Sequence, residues 1–133
     1  MTATESEAIL TLSIMAGFAD GINNDAERAQ FKRIAENLPQ AELQPAELYH
    51  RVLLQQVTIA QPAEPLKTAD LRQYAYEMAV CICDADEVQT DAERKFLLDL
   101  RTSLKLEPEK AAAIQKQRPF LQIKPWTRGG LNE

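Results

Sequence analysis

The sequence predicts an all-α fold: a single helical-bundle domain of about six helices with a pseudo-two-fold internal repeat. Three observations lead there. Apolar residues recur at three- and four-residue spacing through most of the chain, the mark of helices that bury one face. Several of these runs are preceded by Thr or Asn with Glu three residues later, the pattern of a capped helix start. The chain also repeats itself: moved back by sixty-six positions, Asp86, Asp91, Glu93 and Arg94 fall on Asp20, Asp25, Glu27 and Arg28. Ala85, Ala92 and Leu104 fall on Ala19, Ala26 and Leu38, while Val88 and Leu100 meet Ile22 and Ile34. Agreement in both the loop and the apolar positions after it points to one structural unit used twice. The boundaries this implies are a helical domain over 1–117, with repeat one at about 5–57, a linker at 58–66 and repeat two at about 67–117, followed by an extended C-terminal tail, 118–133.

Helix one is expected from about Glu5 to about Ala19, opened by a capping box of Thr4 and Glu7. It would bury Ala8, Leu12, Met15, Ala16 and Ala19, with Ile9, Ile14 and Phe18 widening that face. Asp20-Gly21 ends it, glycine suiting the left-handed turn at a helix end. Asn24 with Glu27 opens helix two, which carries Phe31, Ile34, Ala35 and Leu38 before Pro39 closes it. Pro45 begins helix three, with Leu48, Val52, Leu53 and Val57 as its apolar positions. His50 has no second His or Cys in range and reads as a surface or half-buried residue rather than a ligand. Gln61-Pro62-Ala63-Glu64-Pro65 reads as too proline-rich for a helix. Thr68 starts helix four, whose Leu71, Tyr74, Ala75, Met78, Ala79 and Ile82 keep helical rhythm without a miss. Thr90 and Glu93 box the start of helix five, which presents Phe96, Leu97, Leu100 and Leu104. Pro108 opens a short sixth helix through Ala111, Ala112 and Ile114.

Composition bounds what such a domain does. With 133 residues the chain has room for one domain with a real core, and 45 % apolar content is ordinary for it. Aromatic residues make up only 6 % and there are four glycines, which favours helices packed through Leu, Ile and Ala. No apolar run approaches the roughly 18 residues of a membrane span. Ala8 to Ala19 lacks a basic front and is broken by Thr11 and Ser13, so it does not read as a signal peptide. A cytoplasmic protein without direct membrane insertion is expected. Cys81 and Cys83, two apart in a helical pattern, point to nearly opposite faces and cannot readily bridge or share a metal, so buried thiols in a reducing compartment are expected.

The net charge of −5 is uneven: Lys116, Arg118, Lys124 and Arg128 against Glu133 make the end of the chain +3, which leaves −8 on the body. Nucleic acid is a poor partner for an acidic body. The tail holds two prolines, a glycine pair and the single tryptophan. Two readings of it stand: Phe120, Leu121, Ile123 and Trp126 fold back over the chain's own core, or they form a recognition peptide with Trp126 as anchor.

The acidic loops are the most informative surface. One offers Asp20, Asn23, Asn24, Asp25 and Glu27, the other Asp84, Asp86, Glu87, Asp91 and Glu93. Hard cations such as Ca²⁺ or Mg²⁺ take clustered oxygen ligands of this kind. The spacing is not that of an EF-hand. Counted from Asp84, Gln89 stands where glycine belongs and Lys95 where the closing Glu belongs; counted from Asp20, Asp25 takes the glycine position. Capping explains much of the motif, since Asn24 or Thr90 caps, Asp25 or Asp91 meets the positive helix start, and Glu27 or Glu93 completes the box. Arg28 and Arg94 are then placed to neutralise Asp20 and Asp86. Capping does not call for Asp20 and Asp86 themselves, which recur in register.

The stretch Phe18-Ala19-Asp20-Gly21-Ile22-Asn23-Asn24-Asp25-Ala26-Glu27, echoed by Asp84-Ala85-Asp86-Glu87-Val88-Gln89-Thr90-Asp91-Ala92-Glu93, resembles the tellurite-resistance TerB-like family. The resemblance covers roughly 5–115, and the second loop departs from it in having Glu87 where glycine is usual. It implies an all-helical pseudo-two-fold domain with an acidic, metal-binding surface, no enzymatic activity, and an association with stress and tellurite resistance, often beside membrane-associated protein partners. The residues accord with a non-enzyme: there is no Ser-His-Asp set, no Gly-rich phosphate loop and no histidine pair for zinc.

Three expectations follow. The first is a domain holding divalent cations weakly, or a partner, with Asp20, Glu27, Asp86 and Glu93 as metal residues and Asp84, Asp25 and Asp91 as additions. The second is a plain protein-interaction module whose loops are only capped turns and whose Trp126 tail makes the contact. The third, acid–base catalysis by the carboxylates, needs a burial or a neighbour that a polar loop does not supply.

Overall fold

A computed structural model describes residues 2–19, 25–38, 45–54, 57–84, 90–117 and 121–124. Among these every regular element is an α-helix: α1 (Ala3–Gly17), α2 (Asp25–Glu36), α3 (Pro45–Leu53), α4 (Ala60–Ala63), α5 (Ala69–Cys83), α6 (Asp91–Leu104) and α7 (Pro108–Lys116). Two helices form the middle of the molecule. α1 packs against α2, α3, α4, α5 and α6, and α5 packs against α1, α2, α6 and α7.

Both central helices are buried on nearly every side, because their apolar residues run around the helix instead of along one stripe. Ile9, Leu10, Leu12, Ala16, Met78, Ala79, Val80 and Cys83 are completely inaccessible. Burial of α1 includes polar side chains, and two of these bond back to the helix itself. The Ser13 hydroxyl donates to the Ile9 carbonyl at 2.9 Å and that of Thr11 to the Glu7 carbonyl at 2.7 Å. Cys81 and Cys83 are buried thiols that form no disulfide.

Helix boundaries recur at the spacing seen in the sequence. α1 and α5 are both 15 residues long, with Ala3 and Ala69, and Gly17 and Cys83, each sixty-six apart. Asp25 and Asp91 open α2 and α6 at the same interval. Ile34 and Leu100, which the sequence pairs, are both fully buried.

Three expectations change. The chain has seven helices rather than six among the described residues, because Ala60–Ala63 forms a helical turn inside the stretch assigned to the linker. Pro62 is tolerated there because it sits in the first turn, where backbone N–H groups lack helical partners anyway. It is buried, and the Gln61 side chain accepts from the Thr58 N–H at 3.0 Å to steady the entry. Helix one starts at Ala3, not Glu5, since the box that closes is Thr2 with Glu5. The Thr2 N–H donates to Glu5 Oε1 at 2.8 Å and the Glu5 N–H to Thr2 Oγ1 at 3.1 Å. Two Thr-x-x-Glu patterns overlap in this stretch, and the earlier one gives the longer helix. At its other end the helix stops at Gly17, with Phe18 as C-cap, rather than at Ala19.

The expected starts at Thr68, Thr90, Pro45 and Pro108 are the ones that form. α6 ends on Lys105 at φ 59°, a left-handed position taken without glycine. The Leu106 N–H reaches back to the Arg101 carbonyl at 3.1 Å, and the Arg101 guanidinium donates to the Leu106 carbonyl at 3.1 Å. Buried Leu106 covers the turn.

Beyond α7 the chain returns to the body. Ile123 is buried, Leu121 packs on the core, and the Tyr74 hydroxyl donates to the Lys124 carbonyl at 2.5 Å. Phe120 and Trp126 lie outside the described residues.

Candidate functional site

Of the four metal residues expected from the sequence, Asp20 and Asp86 lie outside the described residues, and Glu27 is described only as part of the α2 backbone. Glu93 is described, and it is deeply buried at 2 % exposure. Its Oε1 accepts the Thr90 N–H at 2.9 Å while its own N–H donates to Thr90 Oγ1 at 3.1 Å, a closed capping box. Asp25 and Asp91, the first residues of α2 and α6, are almost fully exposed, and each pairs with the arginine three residues on, Arg28 or Arg94. Pairs this exposed are screened by solvent and add little to stability. Among the described residues no group of three or more His, Cys, Asp or Glu is arranged to hold a metal ion.

Arg28 ties the start of α2 to a second feature. Hydrogen bonding and charge from Asp25 hold its guanidinium even more firmly protonated than usual, with a smaller contribution from Tyr49 on α3. The Tyr49 ring in turn receives Phe18 edge-on, centroids 5.2 Å apart at 61°, and stands 6.3 Å from Phe31. Phe18 is part of the wall of an open apolar groove of about 340 Å³.

Four parts of the fold build that groove: Met15 and Phe18 from the end of α1, Val52 and Leu53 from the last turn of α3, Val57 and Ile59 from the approach to α4, and Phe96 from α6. Its size is that of a site for a small apolar group or a few side chains. Leu53 is 53 % exposed and its neighbour Leu54 51 %, both high for leucine on a small body. Every side chain that lines it is apolar, so what these side chains offer is desolvation and shape.

The sequence reading placed Met15, Phe18, Val52, Leu53, Val57 and Phe96 in the core, as helical periodicity requires, and did not single out Ile59. Val52 and Phe96 are buried as expected, whereas Leu53 is half open. A signal was present: Leu53, Leu54, Val57 and Ile59 bring more apolar side chains than the end of one nine-residue helix can cover. His50 is exposed, as expected. No helix among the described residues is long and apolar enough to cross a membrane.

Fold and surface together define a small helical module with capped acidic helix starts and an apolar groove. The chain belongs to a family described as a protein of unknown function, DUF533, whose model matches residues 1–118. No curated protein and no solved structure gives a significant match.

Proposed function

We propose that this chain is a non-catalytic TerB-like module of the tellurite-resistance and stress-response kind, and that it works by docking a protein partner in the groove between α1, α3 and α6. The observation that carries this reading is the groove itself, with Leu53 on its wall more than half exposed. Open apolar surface that the body does not cover is where partners bind. The recurrence of α1 and α5 boundaries sixty-six residues apart supports a pseudo-two-fold domain, the architecture that the TerB-like resemblance implies. Buried thiols that form no disulfide accord with a reducing cytoplasm.

A test uses the tagged full chain expressed in its own cell. Leu53→Glu places a charge on an exposed groove position without opening the core. The variant keeps wild-type stability and loses the protein that co-purifies with wild type. Retention of the same partner by a folded Leu53→Glu chain rules the groove out.

A second reading rests on the recurrent acidic helix starts: weak binding of a divalent cation, Ca²⁺ or Mg²⁺, by Asp20 and Glu27 in one loop and by Asp86 and Glu93 in the other. Its support is that Asp25 and Asp91 stand at matching positions with their carboxylates 95 % and 98 % exposed, leaving acidic surface beside both loops. The capping duty of Glu93 weighs against its own membership of such a site, because one of its oxygens is already taken.

A further inference from the structure

The span that the family model matches ends at residue 118, and the segment 121–124 lies beyond it. That segment nevertheless covers part of the body's central helix. Tyr74, Glu77 and Cys81 lie three and four residues apart on α5 and so share one face. All three are buried.

Three different contacts hold the segment there. The Tyr74 hydroxyl donates to the Lys124 carbonyl at 2.5 Å, Ile123 is buried, and the Lys124 ammonium stands 3.8 Å from Glu77 Oε1. The other Glu77 oxygen accepts from Gln73 Nε2 at 3.1 Å, which orients the carboxylate. Lys124 also lies near enough to Cys81 to draw its thiol partly back toward ionisation, against the burial and the Glu77 charge that push it up to about 11.

These contacts divide the work of reading a peptide. A hydrogen bond to a carbonyl recognises backbone whatever the side chain, while an apolar socket and a carboxylate recognise particular side chains. Burial first, and the Glu77 charge next, push the Tyr74 phenol up to about 12, so it remains a donor at any ordinary pH.

We propose that this face of α5 is a recognition groove for an extended segment of pattern apolar–x–apolar–lysine, filled in cis by Leu121–Lys124 and taken by the same kind of segment from a protein partner when the strap lifts. Charge favours that occupant: the body carries −8 and the end of the chain +3, so a lysine-bearing segment is drawn to it. The tethered copy competes at an effective concentration that for short linkers is on the order of millimolar. The strap therefore sets the threshold that a partner must exceed. This site is separate from the groove between α1, α3 and α6, and the two stand or fall independently.

The experiment titrates full-length protein into a fluorescein-labelled peptide with the sequence of residues 118–130 and reads anisotropy. Full-length Ile123→Ser, whose own strap is weakened, binds this peptide at least tenfold more tightly than wild type does. A peptide carrying Lys124→Glu binds that variant at least tenfold more weakly. If folded Ile123→Ser binds no more tightly than wild type, or does not distinguish the two peptides, the proposal is overturned. Should Ile123→Ser lose helicity, the same comparison with full-length Lys124→Glu decides, because that side chain is 59 % exposed and leaves the body untouched.

Discussion

Phe18 meets Tyr49 edge-on at 5.2 Å, and through that contact the end of α1 is fixed against α3 at the wall of the apolar groove. Tyr49 also faces Arg28, which pairs with Asp25 at the start of α2. The acidic helix start and the groove are therefore one connected surface, with an aromatic ring as the link. Edge-to-face pairs of this kind contribute about 0.5–1.5 kcal/mol beyond area burial.

The Thr90–Glu93 box makes a direct prediction. Thr90→Ala removes the hydroxyl that accepts the Glu93 N–H and should cost about 1 kcal/mol by denaturant unfolding. Glu93→Gln keeps an acceptor for the Thr90 N–H and should cost less than Glu93→Ala, which leaves that donor without its partner.

Ser6 predicts the opposite sign. Its hydroxyl is buried in α1 with no hydrogen-bond partner among the described residues, so it bears a desolvation cost without a return. Ser6→Ala should raise stability by about 1 kcal/mol, helped by the better helix propensity of alanine, and thermal unfolding would register it.

Much of the fold was legible in the sequence. The starts at Thr68, Thr90, Pro45 and Pro108 could be read because each signal is local, a hydroxyl or a ring acting within one turn. The start expected at Thr4 is displaced to Thr2, because both offer the same local box and nothing within one turn ranks them. The turn at Ala60–Ala63 was hidden for another reason: proline marks a break, and only its place in a first turn makes it harmless. In the candidate site, the periodicity that locates Met15 and Phe96 is silent on whether an apolar residue faces the core or a groove. Nor does local pattern reveal that Tyr74 would meet Lys124, fifty residues away.

Alkaline pH should weaken the fold through Tyr74 and Cys81. Burial, followed by the Glu77 charge, raises the phenol from 10.0 to about 12 and the thiol from 9.0 to about 11. Both groups hold their protons more tightly folded than unfolded, so stability is intact below about pH 9 and falls as pH rises through the 9 to 12 window. Ionised Tyr74 also loses its donation to Lys124. Unfolding midpoints followed from pH 8 to 12 should decline, and Tyr74→Phe should remove the upper part of the decline.

Calorimetric titration of Ca²⁺, Mg²⁺ and Zn²⁺ into chelator-stripped protein addresses the acidic loops. If they hold cations, heat saturates, the melting temperature rises by linkage, and both effects vanish in Asp20→Asn/Asp86→Asn. Silence up to millimolar metal, with the double variant folding as well as wild type, would leave the loops as capped turns.

Photo-crosslinking in the native cell reports whether a partner occupies the groove. A photoreactive residue replaces exposed Leu54, next in sequence to Leu53 of the groove wall, and a second chain carries it at exposed Lys110 on α7 as control. A partner seated in the groove gives a discrete protein adduct from position 54, none from position 110, and loss of the first when Leu53→Glu is added. Equal adducts from both positions, or an adduct at 54 indifferent to Leu53→Glu, would contradict a partner seated in the groove.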